Sequence, residues 1–197
     1  MSKPKIRLRE NPFEQRPTTL PVGDDDPRKI VPLIGEITTT WEGTEIAYAY
    51  LYATVLKPTG YTSPAARRAY GAIISAKSRK AMIEAAAEVF FHQFPSTTIE
   101  LEMADFLKIY DSASGRRNDI AHGVIVSGQK PRSGWYLEAN FYSNKRPMTF
   151  ESPYAYTSAQ MKRIASQFTA LRFDVEAFRD TLKEHFQSSD PKYRARY

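Results

Sequence analysis

There is no cysteine in these 197 residues. Its absence removes disulfides, thiolate nucleophiles and cysteine-ligated zinc, and makes a cytoplasmic location the default expectation. Histidine is nearly as scarce, with only three, at positions 92, 122 and 185, and no two stand at metal-ligand spacing. The nine glycines nowhere form a phosphate-cradling loop, and no serine stands in a convincing nucleophile motif. Apolar runs are short and broken by charge, so no stretch reads as a bilayer-spanning helix. The start, Met1-Ser2-Lys3-Pro4-Lys5, is basic but leads into Arg7, Arg9 and Glu10, which argues against a secretory signal. No metal, cofactor or membrane partner is implied.

What is present is ordinary for a globular protein: 42% hydrophobic and 25% charged residues, in a length suited to one domain with a core, or one domain with extensions. The net charge of +6 is unevenly spread. Residues 62–80 hold Arg67, Arg68, Lys77, Arg79 and Lys80 without an acid, and 116–146 hold six basic residues against Asp119 and Glu138. Acids gather at Glu36, Glu42 and Glu45 and again at Glu100, Glu102, Asp105 and Asp111. Basic stretches of this kind suit a polyanion such as RNA, and equally suit solvated helix faces.

Hydrophobic spacing predicts a mainly α protein, an antiparallel helical bundle with a small β-hairpin inserted before its last helix. Five prolines in residues 1–29 mark an extended arm, and Asp24-Asp25-Asp26-Pro27 reads as a helix start. The stripe Ile34, Ile37, Trp41, Thr44, Tyr48, Leu51, Val55 predicts a first helix over Arg28 to Lys57. Ser63-Pro64 opens a second helical stretch to about Phe94, with a break near Ser75 to Ser78. Ile99, Met103, Phe106, Leu107 and Tyr110 give a third stripe, and Ser112 to Gly115 predict a kink before a fresh helical turn at Arg116, whose free amides would attract phosphate. Val124-Ile125-Val126 and Trp135 to Tyr142 read as the hairpin (about 123–157), with a third short strand at Tyr154 to Tyr156. Its Lys130, Arg132, Lys145 and Arg146 are candidate RNA contacts, and Trp135, Tyr136 and Tyr142 either stack on bases or pack the hairpin onto the helices. Thr157-Ser158 caps the last helix, whose Met161, Ile164, Phe168, Leu171, Val175, Phe178 and Leu182 form a seam for a bundle or a dimer. The domain so read runs over 30–187, followed by a basic tail over 188–197.

One segment concentrates chemistry: Ser114-Gly115-Arg116-Arg117-Asn118-Asp119-Ile120-Ala121-His122-Gly123. On a helix, Asn118 and His122 share a face and Arg117 lies one position off it, so a guanidinium, an amide and an imidazole can meet one anion. The pattern of Arg, four residues, then His resembles the signature of the HEPN superfamily (higher eukaryotes and prokaryotes nucleotide-binding), met by Arg117 with His122 and, with five between, by Arg116.

That resemblance implies a metal-independent endoribonuclease acting as a homodimer, with the two motifs facing each other. His122 would move protons, since an imidazole ordinarily titrates near ~6.5. Arg117 would hold the phosphate and stabilise charge, Asn118 would orient imidazole or phosphate, and Arg116 would contact the RNA backbone. Glu42 and Glu45 are candidate partners of the motif arginines, or else solvent-facing carboxylates. The family further implies a toxin or phage-defence setting, with an antitoxin or regulatory protein as a possible partner. Its known silencing by nucleotidylation of a tyrosine two residues after the histidine is disfavoured, because position 124 is Val. Two alternatives stay open: a non-catalytic RNA- or nucleotide-binding or scaffold module of the same fold, and a purely structural arginine and histidine.

Overall fold

The computed structural model describes residues 10–56, 64–128, 130–139 and 154–189. Among them are a 3₁₀ turn (Pro27–Lys29), five helices and three strands: α1 (Val31–Leu56), α2 (Pro64–Ala72), α3 (Ala76–Gln93), α4 (Thr97–Ala121), β1 (Val124–Ser127), β2 (Trp135–Glu138), β3 (Ala155–Tyr156) and α5 (Ser158–Ser189). The expected mainly helical class is observed, with the strands between α4 and α5. Ser63, Asn140 to Tyr142, Lys145, Arg146 and the tail from 190 onward lie outside the described residues. No described helix is long and apolar enough to cross a membrane.

The expected stripes are the buried ones. Ile37, Trp41, Thr44, Tyr48, Leu51 and Val55 of α1 are buried, with Leu33 taking the place expected of Ile34. All seven seam residues of α5 are buried within the chain's own core. Asp26 caps the 3₁₀ turn by accepting from the Arg28 amide at 2.8 Å, with Pro27 inside the turn. The break after α2 falls at Ile73 to Ser75, where Ser75 caps α3 by accepting from the Ser78 amide at 3.0 Å.

One expectation is corrected. Residues 112–115 do not interrupt the helix: α4 is continuous from Thr97 to Ala121, so the Arg116 amide lies in a helix interior and no anion-attracting helix start exists there. Serine and glycine propensities work against helix, but Ala113, Ser114, Arg116, Asp119 and Ile120 are all buried, and packing overrides propensity. A β-carbon built on Gly115 meets nothing within 4 Å. Gly115→Ala is therefore expected to stabilise the fold by about 0.5–1 kcal/mol, read as a raised urea midpoint at constant slope.

The chain divides into two compact units, with boundaries inside α1, α4 and α5. The first contains Pro12–Thr44 and Ser112–Ala170. Its sheet is antiparallel in the order β1-β2-β3, with Val126 opposite Tyr136 and Leu137 opposite Tyr156. The described part of the arm, residues 10–29, is fastened to this unit at several points. Phe13 stacks on Phe168 at 5.2 Å between ring centroids, and Trp41 reaches the same ring at 5.3 Å. Tyr136, fully buried, donates to the Leu20 and Ser133 carbonyls at 3.0 Å, which settles that aromatic as structural. Gly134, at φ 86°, brings the hairpin turn so near the arm that a β-carbon would lie 2.8 Å from the Asp24 carbonyl oxygen. Thr157 and Gln160 form a reciprocal capping box at the start of α5, the Thr157 amide donating to Gln160 Oε1 at 2.9 Å. Asp24 adds a second cap, accepting from the Ser158 amide at 2.7 Å and from its hydroxyl.

The second unit contains, of the described residues, 10–11, 45–56, 64–111 and 171–189. Tyr48 packs on Tyr110 at 4.5 Å and donates to the Phe106 carbonyl at 2.7 Å, while Phe106 meets Phe178 at 4.9 Å. At its centre is a buried carboxylate, Glu45, which accepts from Tyr70 at 2.7 Å and Tyr110 at 2.9 Å and pairs with Arg79 at 3.0 Å. Burial, reinforced by the Glu45 charge, pushes both phenols well above the ordinary tyrosine range. The folded chain thus keeps protons that the unfolded chain releases above about pH 10. This contribution to stability is full below that pH and is lost as pH rises beyond it, by roughly 1.4 kcal/mol per pH unit for each such tyrosine. In urea titrations at pH 9 to 11, Tyr70→Phe is expected to lose one tyrosine's share of that slope.

Candidate functional site

The last turns of α4 are divided between two faces. Arg116, Asp119 and Ile120, at i, i+3 and i+4, point inward and are 6%, 5% and 0% exposed. Asn118 and His122, four apart, are exposed on the outer side, with Arg117 half-buried beside them. Arg117 Nη1 donates to Asn118 Oδ1 at 3.2 Å, so guanidinium and amide are already in register. The His122 amide closes the helix onto the Asn118 carbonyl at 3.1 Å. At Gly123 a β-carbon would lie 2.8 Å from Leu137 Cγ and 3.0 Å from the Glu138 carbonyl, so the chain turns into β1 where only a glycine fits.

Beneath this turn Asp119 gathers donors from three parts of the chain. Arg16 of the arm gives Nε at 3.1 Å and Nη2 at 3.4 Å, Tyr156 gives its hydroxyl at 2.9 Å, Tyr154 its hydroxyl at 3.4 Å, and Arg116 Nη2 stands at 3.4 Å. The Arg16 guanidinium also lies over the Tyr154 ring at 4.4 Å. Burial, with the charge of Asp119 behind it, drives the Tyr156 phenol above its ordinary range, so it remains a proton donor to the carboxylate. Arg116 Nε and Nη1 are buried without an acceptor, as is Arg117 Nε. Arg116 is therefore a costly buried cation held by one carboxylate rather than a hand extended to a ligand.

No protein-family model, curated protein or solved structure matches this chain. Chemistry must be read from the site itself.

The structure brings Arg117, Asn118 and His122 together at one end of α4 and turns Arg116 away from them. Among the described residues, neither Arg117 nor His122 has a carboxylate partner. Lys130 and Arg132 lie beyond the far end of β1, whose four residues lead away from Gly123 by roughly 13 Å of extended chain. Neither takes part in an ion pair among the described residues. Glu42 is exposed, and Glu45 is committed to Arg79, Tyr70 and Tyr110. Asp119, Arg16, Tyr154 and Tyr156 are the residues that sequence reading missed. The i, i+3 spacing of Arg116 and Asp119 was a usable signal for one pair, but Arg16 lies 103 positions away and nothing local announces it.

Proposed function

We propose that the chain is a HEPN-type endoribonuclease that cleaves RNA by attack of a ribose 2′-hydroxyl on the adjacent phosphate. The observation carrying this reading is the outward-facing set Arg117, Asn118 and His122, in which the cation and the imidazole are spent on no carboxylate among the described residues. A buried salt bridge would make these groups structural, and their accessibility suits them to a phosphodiester instead.

In the proposed reaction the 2′-hydroxyl loses its proton to an imidazole as its oxygen bonds to phosphorus. The bond from phosphorus to the 5′-oxygen breaks, and that oxygen takes up a proton. The products are a 2′,3′-cyclic phosphate and a 5′-hydroxyl. Arg117 holds the non-bridging oxygens and offsets the added negative charge. Proton acceptance and donation fall on opposite sides of the phosphorus, and this turn offers a single imidazole. A second copy of the chain, presenting its own His122 across a two-fold axis, supplies the other. A role in growth arrest or phage defence accompanies this proposal by analogy alone.

The test is incubation of the purified chain with total RNA in EDTA, with product ends mapped. Cleavage leaving cyclic phosphate ends, and lost in the Arg117→Ala/His122→Ala double variant, supports the reading. RNA bound through the same residues without cleavage would replace it by a binding module. Cleavage unchanged in the double variant would exclude this site.

A further inference from the structure

A groove of about 460 Å³ runs between α3 and α4, within the unit built around Glu45 and away from the motif residues in sequence. Its floor is apolar and made of buried Phe91, Met103 and Leu107. Two alanines, Ala87 and Ala104, leave the space that larger side chains would fill. Its rim is acidic: Glu84 and Glu88, one turn apart on α3, face Glu100 in the first turn of α4. Glu84 is shared with Lys80 at 3.4 Å, whereas Glu88 and Glu100 have no ion pair among the described residues. No lysine or arginine lines the groove, although the chain as a whole carries +6.

Exposed carboxylates on a helix are ordinarily just solvated. These differ in edging a concavity whose floor is hydrocarbon, of a volume that suits a bound side chain or two. Charge decides the class of occupant. Three carboxylates repel a nucleic acid and an acidic peptide alike, and they complement Lys and Arg. We propose that this groove seats a basic segment of a partner protein, in which one aromatic or branched aliphatic anchor lies on Phe91, Met103 and Leu107. Lys or Arg on either side of the anchor meets Glu88 and Glu100. The apolar floor supplies the affinity, and the rim supplies selectivity and association rate.

The test pans a random dodecapeptide display library on the full-length chain, with Ala104→Trp as the filled-groove control. Enriched peptides are then measured by fluorescence anisotropy. The expected sequences carry one large apolar residue flanked by Lys or Arg. Their binding weakens with salt and falls at least 10-fold in Glu88→Lys/Glu100→Lys. Both of these glutamates are exposed, so that variant keeps the fold, and circular dichroism checks Ala104→Trp. The proposal is overturned if nothing is enriched over the filled control, if the enriched peptides are neutral or acidic, or if charge reversal leaves affinity unchanged. It is also overturned in favour of the chain's own C-terminal segment if the enriched sequences match Lys192-Tyr193-Arg194 and a chain ending at Ser189 binds them more tightly.

Discussion

Under the proposed ribonuclease reading, replacing His122 by alanine is expected to lower RNA cleavage by about 10²- to 10⁴-fold, the range typical of losing a general acid or base. Stability should stay within about 0.5 kcal/mol of wild type, because the side chain is exposed and makes no side-chain hydrogen bond among the described residues. Arg117→Ala should cost about 10²- to 10³-fold by removing a donor aimed at developing charge. Arg117→Lys should recover only part of that, since an ammonium keeps the charge but not the planar fork. Cleavage rates with a defined oligonucleotide, beside urea midpoints of the same preparations, separate chemistry from folding. A His122→Ala variant that unfolds, or that cuts at the wild-type rate, would rule out the assigned role.

Asp119→Ala is expected to destabilise the fold by about 3–5 kcal/mol, because it strands the buried Arg116 and removes the acceptor of Arg16 and Tyr156. For a chain of this length that is a fall in melting temperature of roughly 6–20 °C, visible by calorimetry. The opposite truncation behaves differently. Arg116→Met removes the buried cation with its unpaired Nε and Nη1 and leaves Asp119 with Arg16, Tyr154 and Tyr156, so it should cost no more than about 1 kcal/mol. Finding both variants equally damaging would mean that Arg116 is as necessary to the carboxylate as the carboxylate is to it. Cleavage in Arg116→Met should persist, which sets Arg116 apart from Arg117 despite their adjacency.

The helices were legible because a helix repeats its environment every three or four residues. Thus Met161 through Leu182 announced α5, and Trp41 through Val55 announced α1. The break near Ser75 and the change from helix to hairpin near Gly123 were legible for local reasons too. What misled was the run from Ser112 to Gly115, where weak helix formers are kept helical by burial of Ala113 and Ser114, a non-local cause. The outward pair Asn118 and His122 followed from their spacing of four. The inward turn of Arg116 did not, because an arginine is ordinarily expected at the surface. Glu45 illustrates the converse: as a carboxylate it read as a surface group, yet Arg79, Tyr70 and Tyr110 make it the centre of a core.

Asp24 caps a serine made 134 residues later. On the ribosome the arm is made long before the segments that hold it, since Thr19, Asp24 and Phe13 wait for Ala155, Ser158 and Phe168. Until then Phe13 lacks the Phe168 ring, and Asp119 lacks both its arginine from the arm and the phenols of Tyr154 and Tyr156. The turn bearing His122 is consequently completed only after Tyr154, Tyr156 and Phe168 have been made, so a nascent chain released before then would carry the motif in its sequence without the scaffold that sets it.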